Sequence, residues 1–140
     1  MTKREMLKAV DKKVQAWLWD KYIAKFESKE DMENHALAIA GVVSIANMIH
    51  DYICDPAVLD DEEEIDDLFW KEGQLQEFYD FFFEYDCTVY DIVKNWICSN
   101  DPSAEDILGL YSRERQLNDV LDNISFLITD IKRREGQGGK

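Results

Sequence analysis

From Met6 onward the apolar positions return every three or four residues: Met6, Leu7, Val10, Val14, Trp17 and Leu18, continuing to Phe26. That is the period of an α-helix with one apolar face. The preceding TKRE predicts its start, Thr2 capping the backbone and Glu5 reaching back. A second stripe follows SKED, with Ser28 as cap and Asp31 at the third helical position. It runs through Leu37, Ile39, Ala40, Val43, Ala46, Ile49 and Ile53, and Asp55-Pro56 stops it. A third helix is expected from Asp60 or Asp61, where carboxylates favour the positive helix end, to about Tyr85, with Gly73 as a break point.

A shorter fourth helix covers Thr88 to Cys98 on Val89, Ile92, Val93, Trp96 and Ile97. Beyond SNDPSAED a fifth starts, either with Asp101 as cap and Pro102 in the first turn, or with Ser103 as cap and Asp106 behind it. Ile107, Leu110, Leu117, Leu121, Ile124, Ile128 and Ile131 then step by threes and fours, interrupted by Glu114. This heptad-like stripe ends at KRRE, whose cations suit the negative helix end. The pattern predicts an all-α, single-domain bundle of about five helices over residues 1–135, the fifth central, followed by a flexible Gly-rich tail at 136–140. Only FYDFFFEYDCTVY, rich in aromatics and valine, competes as strand.

Composition agrees. A chain of 140 residues can bury its own core, and 46% hydrophobic residues argue against disorder. Two prolines and six glycines favour long helices over many short strands. No period of 20–50 residues repeats, which disfavours a solenoid. No apolar run in the sequence approaches the roughly 18 residues of a membrane span, and the charged start MTKREMLKAVDKK lacks the pattern of a secretory leader. Cys54, Cys87 and Cys98 are odd in number and show neither metal-ligand nor redox spacing. A reduced, cytoplasmic protein without membrane partners is the expectation.

Charge changes the picture. The net formal charge is −14, and residues 51–106 alone hold 18 Asp/Glu against two Lys/Arg. The segments on either side are each close to neutral. A surface selected only for solubility intersperses both signs; here they are segregated. The isoelectric point of 4.4 disfavours direct nucleic-acid binding through a basic surface.

Candidate chemistry is sparse. His50-Asp51 is the dipeptide of metal-dependent phosphohydrolases, but only His35 accompanies it and no third histidine exists. His50 and Cys54, four apart on a helix, offer two donors, which do not make a metal site. Glu30-x-x-Glu33 and Glu63-x-x-Asp66 resemble the paired acidic motifs of all-α nucleoside-triphosphate pyrophosphohydrolases, whose four carboxylates hold magnesium. Both pairs lie in the first turns of consecutive, antiparallel helices, which would separate them by a helix length. Acids without a central glycine also fail the calcium-loop pattern, and phosphate loops, nucleophile elbows and Cys-His pairs are absent. No enzyme activity, metal or cofactor is expected.

The stretch DDEEEIDDLFWKEGQLQEFYDFFFEYD is the most distinctive of the chain. Projected as one helix at about 100° per residue, Glu62, Asp66, Glu77, Asp80 and Glu84 fall within about 60°, with Trp70 and Phe81 beside them. Ile65, Leu68, Leu75, Phe78, Tyr79, Phe82 and Phe83 take the opposite arc. Glu62/Asp66 and Asp80/Glu84 are like charges four apart, costing roughly 0.2–0.5 kcal/mol per pair. Residues 60–86 carry 12 carboxylates over about 39 Å at ~1.5 Å per residue, close to the phosphate spacing of a DNA strand, ~3.4 Å.

A rigid acidic rod of this kind fits a basic groove built for nucleic acid. The favoured expectation is therefore an inhibitor that mimics DNA or RNA and binds a basic nucleic-acid-binding protein. Glu62, Asp66, Trp70, Glu77, Asp80 and Glu84 would form the contact surface. Small acidic phage and plasmid proteins that block restriction or CRISPR machinery share this general character, though no motif ties the chain to any one of them. The alternative is a structural or adaptor subunit using the aromatic-rich helix as an interface. The sequence leaves oligomeric state open, a dimer included.

Overall fold

The computed structural model describes the backbone of residues 1–100 and 113–138, and the side chains of residues 1–96 and 118–136. Helix α1 spans Lys3–Trp17 and continues through a π-helical turn, Leu18–Tyr22, and a 3₁₀ turn, Ile23–Lys25. Then follow α2 (Lys29–Asn34), α3 (Ala36–Ile53), α4 (Pro56–Leu59), α5 (Glu62–Leu68), α6 (Gln74–Phe83), α7 (Val89–Asn100) and α8 (Arg113–Gly138). Among the described residues there is no strand, so the chain is all-α and FYDFFFEYDCTVY is a helix followed by a turn.

The sequence caps act as expected. Thr2 Oγ1 accepts from the Glu5 backbone N–H at 3.1 Å while the Glu5 carboxylate accepts from Thr2 N–H at 3.4 Å. Ser28 Oγ accepts from Asp31 N–H, and Asp61 caps α5 through Glu63 N–H. Each cap satisfies an N–H that has no partner within its helix.

The described residues contain eight α-helices where about five were expected, and the difference has local causes. At His35 the ring Nδ1 bonds the Asp31 carbonyl at 2.9 Å, the oxygen that the His35 backbone N–H would take in a continuous helix. That N–H turns to Met32 O instead, and the helix breaks between α2 and α3. Asp55, capping Ala57 N–H with Pro56 in the first turn, starts the short α4. Gly73, at φ +79°, occupies the left-handed region that glycine adopts without strain, and separates α5 from α6. The start of the fifth predicted helix, with Asp101, Ser103, Ile107 and Leu110, lies outside the described residues, as does the Leu117 side chain.

One contiguous apolar cluster holds the helices together. Leu7, Val10, Val14 and Leu18 meet Val42, Ala46, Ile49 and Ile53 of α3, Phe78, Phe81 and Phe82 of α6, and Ile92 and Val93 of α7. Helix α8 contributes Val120, Leu121, Ile124 and Ile128 and packs against α3, α6 and α7. Among the described residues α3, which meets α1, α2, α4, α7 and α8, has the more central place, where the sequence put the fifth helix. Fully burying each such side chain contributes roughly 1.5–3 kcal/mol. Asn95 donates to Asn123 Oδ1 at 2.7 Å, tying α7 to α8 beside this core. Among the described residues one helix, α3, is long and apolar enough to cross a membrane by length and composition, although Ser44, Asn47, His50 and Asp51 interrupt its apolar run; seven of its 18 residues are buried against protein.

Candidate acidic interface

The basic positions of α1 hold the acidic segment. Lys3 donates to Asp66 Oδ1 at 2.5 Å. That bond raises the Lys3 pKa above its ordinary value, with the charges of Asp66 and Glu62 adding to it. Arg4 Nε donates to the Leu59 carbonyl at 2.7 Å, with its guanidinium 3.9 Å from Asp60. Near the other end of α1, Lys13 donates to the Phe82 carbonyl and to Asp86 Oδ1, the latter at 3.3 Å, and lies 4.7 Å from the Phe83 ring centroid. A cation at the last carbonyls of α6 complements the negative helix end. The segment is thus fastened just before and within α5 and at the end of α6.

The predicted surface residues occupy two helices and the turn between them. Glu62 and Asp66 stand one turn apart on α5, both exposed. Trp70 lies in the turn, 67% exposed, with Lys71 Nζ 4.7 Å from its ring. Glu77 is exposed in the first turn of α6. Asp80, half-buried, accepts from Gln76 Nε2 at 2.7 Å, and Glu84 is the exposed C-cap.

The expected single helix does not form. Phe69 leaves helical geometry and Gly73 starts α6 anew, so one straight projection does not carry from Glu62 to Glu84. The rod comparison with DNA phosphates falls with it. Repulsion between Glu62 and Asp66 is also offset by Lys3. On α6 the buried face is Gln74, Phe78, Phe81 and Phe82. Phe81, expected beside the acids, is therefore fully buried, while Phe83, expected in the core, is 38% exposed and stacks on Tyr79 at 4.6 Å.

What remains is a set of exposed carboxylates along α5, the following turn and α6, with the exposed Trp70 in the turn. Among the described residues Glu63, Glu64, Asp67, Glu72, Glu77 and Glu84 are exposed and form no ion pair. An open groove of about 340 Å³ is lined by Trp70 together with Lys3, Asp66, Phe69, Lys71 and Leu75 among others. Such a surface attracts cations and offers one aromatic face for stacking or cation–π contact.

Two metal motifs weighed in the sequence take different forms in three dimensions. Glu30, Glu33, Glu63 and Asp66 do not gather into a metal-sized group among the described residues. His50 and Cys54, in contrast, acquire a third donor, Asp11 of α1, and all three ligand atoms lie within 4.8 Å of one another. Asp11 is 39 residues from His50, so sequence spacing gave no signal of it. No protein-family model, curated protein or solved structure matches the chain.

Proposed function

We propose that this chain is a small cytoplasmic inhibitor, a single helical domain without catalytic activity, that binds a basic nucleic-acid-binding protein by presenting carboxylates where phosphates would lie. Counter-defence proteins of phage type, such as anti-CRISPR or anti-restriction proteins, are the class it fits. The observation that carries this reading is the set of exposed carboxylates without ion pairs on α5, the following turn and α6, with the exposed Trp70 in that turn. The bonds from Lys3, Arg4 and Lys13 fix the segment beforehand, so that little ordering remains to be done on binding. Glu62, Asp66 and Asp80 contribute charge to the surface, although Asp66 already has a partner in Lys3.

The test is capture of proteins from a lysate of the source cell on the immobilised chain, with duplex DNA as competitor and at two salt concentrations. Retained proteins should bind nucleic acid, leave on addition of duplex DNA or salt, and fail to bind an Asp80→Lys, Glu84→Lys variant. Capture that survives DNA and salt and ignores the variant contradicts the reading.

A second reading, an adaptor subunit, rests on a different observation. The outer face of α2 and α3 forms an apolar groove lined by Met32, Ala36, Ile39, Ala40 and Val43, with Leu37 beside it 58% exposed. Association through that groove would persist at high salt, and Leu37→Asp would abolish it.

A further inference from the structure

The strongest unassigned cluster of ligating side chains lies between α1 and the C-terminal end of α3, on residues outside the acidic surface. His50 and Cys54 are one turn apart, and Asp11 faces them from α1 with its Oδ1 2.9 Å from His50 Nδ1. We propose that Asp11, His50 and Cys54 bind a divalent transition ion of the zinc class.

Donor chemistry selects the ion. Imidazole, thiolate and carboxylate together suit zinc and its neighbours, whereas magnesium and calcium require shells of oxygen. Ligand atoms about 2.0–2.3 Å from a tetrahedral ion stand roughly 3.3–3.8 Å apart. The three donors, all within 4.8 Å of each other, reach that spacing by small side-chain adjustments. Three protein ligands leave one position for water or a further ligand, the arrangement of open zinc sites. The His50 side chain is 50% exposed and that of Asp11 16%, so the ion enters from solvent while the carboxylate stays fixed against the protein. Binding would join α1 to α3 more firmly than the hydrogen bond now does.

The experiment is titration of the full chain with Zn²⁺ and with Co²⁺ as its spectroscopic substitute. The site predicts one equivalent bound, the intense visible bands of tetrahedral cobalt, and a thiolate-to-cobalt charge-transfer band. Zn²⁺ should raise the melting temperature, because it binds the folded chain alone. Cys54→Ser should remove the charge-transfer band, and His50→Ala should weaken binding at least tenfold. Glu63→Gln, on the acidic surface, should change neither. The cobalt spectrum is read on the parent protein, so a variant that fails to fold leaves that measurement decisive. A parent spectrum without thiolate charge transfer overturns the proposal and assigns any bound cation to oxygen and nitrogen donors. A band retained by Cys54→Ser overturns it too and assigns the ion to another thiol of the chain.

Discussion

Lys13 acts on the acidic segment from 69 residues away, donating to the last turn of α6 and to Asp86 while sitting over Phe83. Asp86 is the described non-glycine residue with a positive φ, 50°, a conformation that aspartate tolerates better than most residues. Next to it, burial pushes the Cys87 thiol up to about 11, with the charges of Asp91 and Asp86 acting in the same direction. Because the folded pKa lies above the unfolded value, near 9, the folded state holds the proton more tightly between them. The thiol's contribution to stability is complete below about pH 9 and is lost as pH rises through about 11. Urea melts across that window should show the parent losing stability more steeply than Cys87→Ala; equal slopes would contradict the assignment. The caps at Thr2 and Ser28, and a helix start at Asp60 or Asp61, were legible in the sequence because capping is local. Phe81 and Phe83 exchanged places because their burial depends on where α6 starts.

Helix boundaries follow the same division. Periodicity alone located α1, α3 and the buried stripe of α8, since Leu121, Ile124 and Ile128 follow one another at three and four residues; Val120, buried beside them, was not in that stripe. Periodicity could not reveal the His35 break, where a side chain takes a backbone carbonyl, nor the division at Phe69–Gly73. Gly73 was legible as a break point, but not as the end of a shared acidic arc. A Cβ at Gly73 would meet nothing within 4 Å, so the cost of Gly73→Ala is conformational. Thermal or urea melts should show a loss of roughly 1–2 kcal/mol, the penalty of a left-handed L-residue. No change would mean that the turn relaxes without its glycine. Leu121 is 3% exposed, and Leu121→Ala should cost about 2–5 kcal/mol by urea melts. A loss below about half a kcal/mol would place α8 outside the core, against the usual cost of such a truncation.

Across the whole molecule, the charge segregation visible in the sequence has two components. Cations of α1 neutralise Asp60, Asp66 and Asp86 and hold the segment to the core. Glu63, Glu64, Asp67, Glu72, Glu77 and Glu84 are exposed without ion pairs and give the proposed surface its single sign. The pairing was not legible, because the partners are more than 50 residues apart in sequence and meet only once α5 and α6 pack on α1. The Asp11, His50 and Cys54 cluster escaped the sequence for the same reason. Reversing charge at Asp80 and Glu84 leaves the apolar core untouched and places lysines near the negative end of α6, where the helix dipole favours them. The decisive measurement is therefore the affinity of the captured basic partner for the parent and for Asp80→Lys, Glu84→Lys, each at low and high salt and with duplex DNA as competitor. If the acidic surface mimics nucleic acid, parent binding falls steeply with salt and is displaced by DNA, and the correctly folded variant loses it. Equal affinity of parent and variant, insensitive to salt and DNA, would contradict it.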